Sequence, residues 1–227
     1  MTRILCGAGP GTAGGLESLM DVAEDRDVDA VVLVGDLSAA GADGYRSLFK
    51  ALARGRLPTY WVPGPGDAPV HEYLREAHNI EIAFPFLHGV HGTAAFGPGY
   101  VLFAGLGGEI SDDPDERREE VDRLRYPRWE PEYRLKLLRE LKDYQLVLLF
   151  HTPPEHKGLG RPGSEVVAEL VNTYTPRILV CGGERGTEML GRTLVVAPGS
   201  LGDGNYAIAD IRAQEAQLEQ LAASAAS

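Results

Sequence analysis

Val31-Val32-Leu33-Val34-Gly35-Asp36 is a run of apolar, mostly β-branched residues that stops at a glycine and a carboxylate. A run that is apolar at every position reads as a strand buried on both faces, and the glycine directly after it marks a turn at the strand end. Four other segments have the same shape: Arg3-Ile4-Leu5-Cys6-Gly7-Ala8-Gly9-Pro10-Gly11, Trp61-Val62-Pro63-Gly64-Pro65-Gly66-Asp67, Leu148-Leu149-Phe150-His151-Thr152-Pro153-Pro154 and Leu179-Val180-Cys181-Gly182-Gly183-Glu184-Arg185. Helical patterns at Leu16 to Glu24, Asp43 to Ala53 and Ser164 to Asn172 separate them. The alternation predicts repeated βα units on a largely parallel sheet, an α/β fold. Asp36 and His151 stand out at these strand ends as side chains suited to a metal ion.

Further strands are expected at Thr59 to Val62, Thr193 to Ala197 and Tyr206 to Ile211. Val70 to Ala77 reads as a short helix followed by an extended Ile80-Glu81-Ile82. His88 to Ala104 alternates like a hairpin with glycine turns, so a second, mixed sheet is expected. Asp112 to Arg125 is almost wholly charged and reads as a loop or an exposed helix. Pro131 sits at the first turn of a helix carrying Leu135, Leu138 and Leu141. Residues 1–212 form one domain in this reading, and the alanine- and glutamine-rich C-terminal tail, 213–227, is helical or frayed.

A chain of 227 residues that is 44% hydrophobic can bury one large core. Its net charge of -11 opposes binding to the backbone of a nucleic acid duplex. The basic residues Arg134, Lys136, Arg139 and Lys142 alternate with Glu132, Glu140 and Asp143, as on a solvated helix face. No apolar run is long enough to span a membrane, and the first residues reach glycine too early for a signal peptide; a cytoplasmic protein with no membrane partner is expected. Cys6 and Cys181 lie in strand-like runs and read as core thiols. Tyr126, Trp129 and Tyr133 form an aromatic cluster of the kind used for packing or a subunit contact, on which the expectation of a homo-oligomer rests.

Gly9-Pro10-Gly11-Thr12-Ala13-Gly14 matches the dinucleotide fingerprint, with Asp36 placed to hold a ribose. A flexible turn entering a helix has the same composition, so a dinucleotide-binding protein stands as one alternative.

The five loops together resemble, in order and in flanking strands, the calcineurin-like metallophosphoesterases, whose motifs are D-x-H, G-D, G-N-H-D or E, a lone H, and G-H-x-H. The resemblance runs to Ile211 and is closer still to small bacterial phosphoesterase-related proteins. It rests on Val62-Pro63-Gly64-Pro65, Asp67-Ala68-Pro69, Tyr73-Leu74-Arg75-Glu76-Ala77, Gly107-Gly108-Glu109-Ile110, Leu124-Arg125-Tyr126-Pro127, Glu132-Tyr133-Arg134-Leu135-Lys136 and His156-Lys157-Gly158-Leu159. It implies an α/β sandwich of two mixed sheets flanked by helices, with a site at the strand ends where two metal ions and a bridging hydroxide cleave phosphate esters.

Most of that chemistry is missing from this chain. Gly9 and Gly11 stand where the first motif has its aspartate and histidine. Asp36 matches the aspartate that bridges the metals. Pro65 and Gly66 replace an asparagine ligand and the histidine that protonates the leaving group, while Asp67 matches the carboxylate that orients that histidine. His151 matches the lone histidine, and Gly183 and Arg185 replace the last two. Asp36 and His151 alone would leave most of a coordination sphere to water. No cofactor is therefore expected beyond a weakly held divalent metal ion on those two residues, and no residue is assigned a catalytic role.

The resulting expectation is a degenerate metallophosphoesterase, a pseudoenzyme that binds a ligand or partner in the old pocket. The alternative is a hydrolase using Asp36 and His151 around an atypical metal, with help from neighbouring loops. The candidate pocket comprises Asp36, Asp67, Glu109, His151, His156, Lys157, Glu184 and Arg185. Glu109 either faces the cleft or caps turn amides. Arg185 is expected to pair with Asp36 in place of the lost metals, or to reach a small anionic or phosphorylated ligand. His156 and Lys157 are candidates for contact with that ligand.

Overall fold

The structure is a computed structural model that describes residues 2–9, 13–37, 41–67, 70–115, 123–156 and 163–222. Three parallel strands, β1 (Arg3–Ala8), β2 (Ala30–Val34) and β3 (Thr59–Val62), are joined by helices α1 (Ala13–Asp25) and α2 (Gly41–Gly55). Helix α3 (Val70–Ala83) then delivers β4 (Leu87–Gly89), also parallel to β3. The hairpin β5 (Ala94–Phe96) and β6 (Leu102–Leu106) starts a second sheet. After a small parallel pair, β7 (Glu109–Ile110) with β8 (Arg125–Tyr126), comes α4 (Glu130–Leu135), continued as a 3₁₀ helix over Lys136–Glu140. Strands β9 (Leu146–Phe150) and β10 (Ile178–Cys181) flank α5 (Glu165–Tyr174), and β11 (Gly186–Leu190), β12 (Thr193–Ala197), β13 (Asn205–Asp210) and β14 (Glu215–Gln220) complete the chain. The strand orders are β14-β13-β1-β2-β3-β4 and β11-β12-β10-β9-β6-β5.

Burial follows the two-residue period of the strands. Ile4, Cys6, Val32, Val34, Tyr60 and Val62 of the first sheet face Phe103, Val147, Leu149, Val180 and Val196 of the second. The Tyr60 and Phe103 rings stack across that layer, 3.9 Å between centroids. The alternate residues Leu5, Val31, Leu33 and Trp61 pack outward under α1, α2 and α3. Leu148, Phe150, Leu179 and Cys181 pack outward under α4 and α5. Each sheet is covered on both faces, which is why its strands read as unbroken apolar runs. This is the expected α/β sandwich of two mixed sheets flanked by helices. Cys6 and Cys181 are buried free thiols, and burial pushes both pKa values up, that of Cys181 to about 12. Among the described residues no helix is long and apolar enough to cross a membrane.

Two local expectations are corrected, and one strand is new. Ile80-Glu81-Ile82 lies inside α3, where Ile80 packs against the first core at helical spacing. The tail is not helical at 215–220: Ala216 and Leu218 alternate with polar residues, press on the inter-sheet core, and make β14 an edge strand beside β13. Its helix-favouring composition hid that period. β11, which was not expected, is an edge strand with alternating exposure, Met189 on its exposed side.

Gly105 in β6 lies so close to β9 that a Cβ there would collide with the Leu149 carbonyl oxygen. Gly105→Ala must separate the two strands, and a loss of about 1 to 3 kcal/mol in urea unfolding is expected.

Candidate functional site

The parallel strands deliver their C-terminal ends to one side of the sandwich, where α/β sheets place their sites. β2 leaves the sheet through two consecutive left-handed residues, Gly35 (φ 66°) and Asp36 (φ 45°). Glycine adopts this conformation freely and aspartate tolerates it, so the turn swings the Asp36 side chain towards the end of β3. There the Gly66 amide donates to Asp36 Oδ1 at 2.7 Å. Asp36 Oδ2 faces His151 Nε2, at the end of β9, across 3.7 Å. This contact is longer than a hydrogen bond and becomes an ion pair when His151 is protonated. The His151 ring holds the Asp36 carboxyl below its usual pKa, helped by the Gly66 amide and opposed by partial burial.

The glycines around this pair are required by contact. A Cβ at Gly35 would overlap His151 Cδ2, and one at Gly64 would overlap the Asp36 amide nitrogen. At Gly66 it would lie 2.7 Å from Asp36 Oδ1, and at Gly182 2.6 Å from the His151 carbonyl oxygen. The backbone has closed onto the Asp36–His151 pair on several sides.

Asp67 sits behind the pair and is 1% exposed. Its Oδ2 accepts from the Leu37 and Gly64 amides, each at 2.8 Å, and its Oδ1 accepts from the Tyr45 hydroxyl at 2.8 Å. The carboxylate expected to orient a histidine thus ties the ends of β2 and β3 to α2. Burial and the Asp67 charge push the Tyr45 phenol up in turn.

Beside His151 opens a cleft of about 540 Å³. Its walls include Glu109 and Ile110 of β7, Thr152, Pro153 and Pro154 after β9, Asp112 and Ser164 at the start of α5, and Gly183 and Glu184 after β10. Thr152 Oγ1 accepts from the Ile110 amide at 3.0 Å and donates to the Gly108 carbonyl at 3.2 Å. Glu109 points into the rim but is paired with Arg125 at 2.7 Å. Asp112 accepts from the Ser164 hydroxyl at 2.6 Å and from the Glu165 and Val166 amides, capping α5. Burial raises the Asp112 pKa, but the Ser164 hydroxyl, those two amides and the Arg128 charge together bring it below its ordinary value.

Of the candidate residues, Asp36, His151, Glu109 and Glu184 meet at or beside this cleft, and Asp67 supports it from within. His156 is partly exposed and is not among the described residues lining the cleft. Lys157 and Gly11 lie outside the described residues. The Arg185 expectation is corrected: its side chain is exposed, and Nη2 donates to the Glu219 carbonyl on β14 at 3.2 Å, linking the edges of the two sheets. His151 occupies the place beside Asp36 that a guanidinium was expected to fill. The aromatic cluster also divides, since Tyr126 is buried while Trp129 and Tyr133 are half exposed.

The cap by Asp112 and the half-buried polar group at His91 were not anticipated. Asp112 lies 52 residues from Ser164, so no local pattern could reveal it. His91 accepts from the Gly107 amide at Nδ1, 3.0 Å, and meets the Tyr126 hydroxyl at Nε2, 2.8 Å. Burial, with the Arg134 charge, pushes its pKa down to about 3, so it stays neutral as a structural link.

The family model for metallophosphoesterases of the calcineurin superfamily matches residues 42–221, and the chain belongs to that family. The crystal structure of TT1561 of Thermus thermophilus is similar at 43% identity and a TM-score of 0.90, covering 97% of this chain and 99% of that one. A dimetal phosphatase from Danio rerio shares the fold at 12% identity and a TM-score of 0.59, with 92% of each chain covered. No curated protein matches the chain.

Two outcomes test this geometry. Gly35→Ala adds strain at φ 66° and drives a methyl group into His151; a lowered thermal midpoint equivalent to about 2 kcal/mol or more is expected, together with a shifted His151 imidazole signal in NMR. Asp112 has a depressed folded pKa, so its contribution is present above the ordinary carboxylate value of 3.8 and is lost as pH falls through the lower folded value. Asp112→Ala is therefore expected to melt below the wild type at neutral pH, by about 1 kcal/mol for a lost cap, and the gap should close in acid.

Proposed function

We propose that this chain keeps the metallophosphoesterase fold without the dinuclear centre and binds a small ligand in the cleft beside His151. The observation that carries this reading is the commitment of Asp36: one oxygen takes the Gly66 amide, the other faces His151, and the glycine backbone is packed against both residues. Side chains at Gly64 or Gly66 would collide with Asp36, so the β3 loop leaves no room beside Asp36 for the histidine that the family carries at Gly66. Among the described residues no three histidine, cysteine, aspartate or glutamate side chains come together as a metal-binding group. The residues present do not fit two metal ions.

The described walls of the cleft carry Glu109, Asp112 and Glu184 and no lysine or arginine. Arg125 already pairs with Glu109, and α5 takes Asp112, which leaves Glu184 and His151 as the ionisable groups that meet a ligand, beside the hydroxyls of Ser111, Thr152 and Ser164. Pro65, Ile110, Pro153 and Pro154 supply apolar surface. A small molecule bound there would meet these apolar walls with Glu184 and His151 beside them.

A second reading keeps a single divalent ion between Asp36 Oδ2 and His151 Nε2, the two surviving ligand positions, whose facing atoms stand 3.7 Å apart. The dinucleotide reading gains nothing from the structure, because the Asp36 oxygens it needs for ribose face Gly66 and His151. Mass-spectrometric metal analysis and phosphodiester turnover with added manganese separate the first two readings. We expect substoichiometric metal, and turnover no higher than that of the Asp36→Ala/His151→Ala double variant. One tightly held ion per chain, or turnover that the double variant abolishes, favours the second reading and would overturn the first.

A further inference from the structure

The cleft wall at β7 is too short to hold itself, since β7 and β8 pair only through Glu109 with Arg125 and Ile110 with Tyr126. Thr152 holds β7 directly. His91, bridged to Gly105 of β6, holds both the residues leading into β7 and the end of β8. Its Nδ1 accepts from the Gly107 amide at 3.0 Å, so its single proton sits on Nε2, which donates to the Tyr126 hydroxyl at 2.8 Å. The Tyr126 ring is 2% exposed, lies against the imidazole, and has the Arg134 guanidinium 5.2 Å from its centre.

A second proton has no place on this ring while both bonds last. On Nδ1 it would meet the Gly107 N–H, donor against donor, and leave that amide unpaired. The charged groups beside the ring give no help: Arg134 repels an imidazolium, and the Glu130 carboxylate, 1% exposed, is already taken by Arg134. Burial first, and then the Arg134 charge, push the pKa of His91 from 6.5 down to about 3. Once the Gly107 bond breaks and the ring reaches water, the ordinary value returns, so the open wall takes up a proton that the closed wall refuses. Closure is therefore fully stable above about pH 6.5 and weakens about tenfold per unit as pH falls towards 3.

We propose that His91 is an acid-sensitive fastener of the cleft wall, neutral while β7 and β8 are closed onto the sheet and protonated when they are released. Its bearing on a bound ligand rests on the proposed role of the cleft, whereas the motion itself is read with no ligand present. Amide hydrogen exchange on the full chain, followed by NMR between about pH 7 and pH 5, where carboxylates stay charged, tests it. The Gly107, Glu109 and Ser111 amides bond to His91, Leu124 and Tyr126. Their protection, corrected for the intrinsic rate, should fall roughly twentyfold across that range, and should lie below that of Val32 and Leu149 in the central strands throughout. In His91→Asn, whose side-chain oxygen can accept from Gly107 without titrating, the fall should be absent. His151 is present in both chains, so its titration does not distinguish them. Should His91→Asn fail to fold, His91→Gln carries the comparison, and the imidazole nitrogen shifts of the wild type should show a neutral His91 at pH 5. Protection that is constant with pH in the wild type, an equal fall in the folded His91 variant, wall amides that exchange only together with the central strands, or an imidazolium at His91 in a closed wall at pH 5 overturns the proposal.

Discussion

The buried Asp67 carboxylate sets the geometry on which the site depends. One of its oxygens gathers the Leu37 and Gly64 amides, which belong to the loops leaving β2 and β3, and the other holds Tyr45 of α2. A carboxylate this deeply buried is tolerated only when hydrogen bonds replace its lost hydration, and three short ones do so. By drawing those loops together, Asp67 brings the Gly66 amide onto Asp36 and fixes the Asp36 carboxylate against His151.

The fold was legible because both sheets are buried on both faces, so each central strand announces itself as an apolar run with a glycine at its end. Elements that depend on weaker signals were not. β14 is an edge strand, and its apolar period rests on Ala216 and Leu218 within a helix-favouring composition. α3 continues through Ile80 and Ile82, where β-branched residues suggested extension, because packing against the first core outweighs a propensity of a few tenths of a kcal/mol per residue.

The site was partly legible for a different reason. Asp36 and His151 could be identified by their places at the ends of β2 and β9, and these residues do meet. Asp67 could be placed by its motif but not by its task, since the sequence does not reveal which amides its oxygens reach. Arg185 shows the same limit more sharply. Charge complementarity with Asp36 was a sound physical argument, yet the β11 turn carries the guanidinium to the β14 carbonyl of Glu219, where it joins the sheet edges. A pairing across tertiary space depends on turn direction, which a single sequence leaves open.

The glycines at the strand ends have different causes, which bears on how the site opens. Gly35, Gly64 and Gly66 are held by close approach to Asp36 and His151, so a longer side chain at any of them disturbs the pair. At Gly9 and Gly183 there is room for a Cβ, the nearest atoms being 3.6 and 3.4 Å away, and the left-handed backbone is what disfavours one. The ends of β2 and β3 are therefore closed by packing, while the second sheet's side, between β7, the turn after β9 and the start of α5, keeps an open cleft. Putting the family's leaving-group histidine back at Gly66 alone would press its Cβ against Asp36 Oδ1 and push Asp36 off the very amide that orients it. Asp67 thus fixes how the loops after β2 and β3 pack at the strand ends, and the open cleft lies beyond them, between β7 and the start of α5.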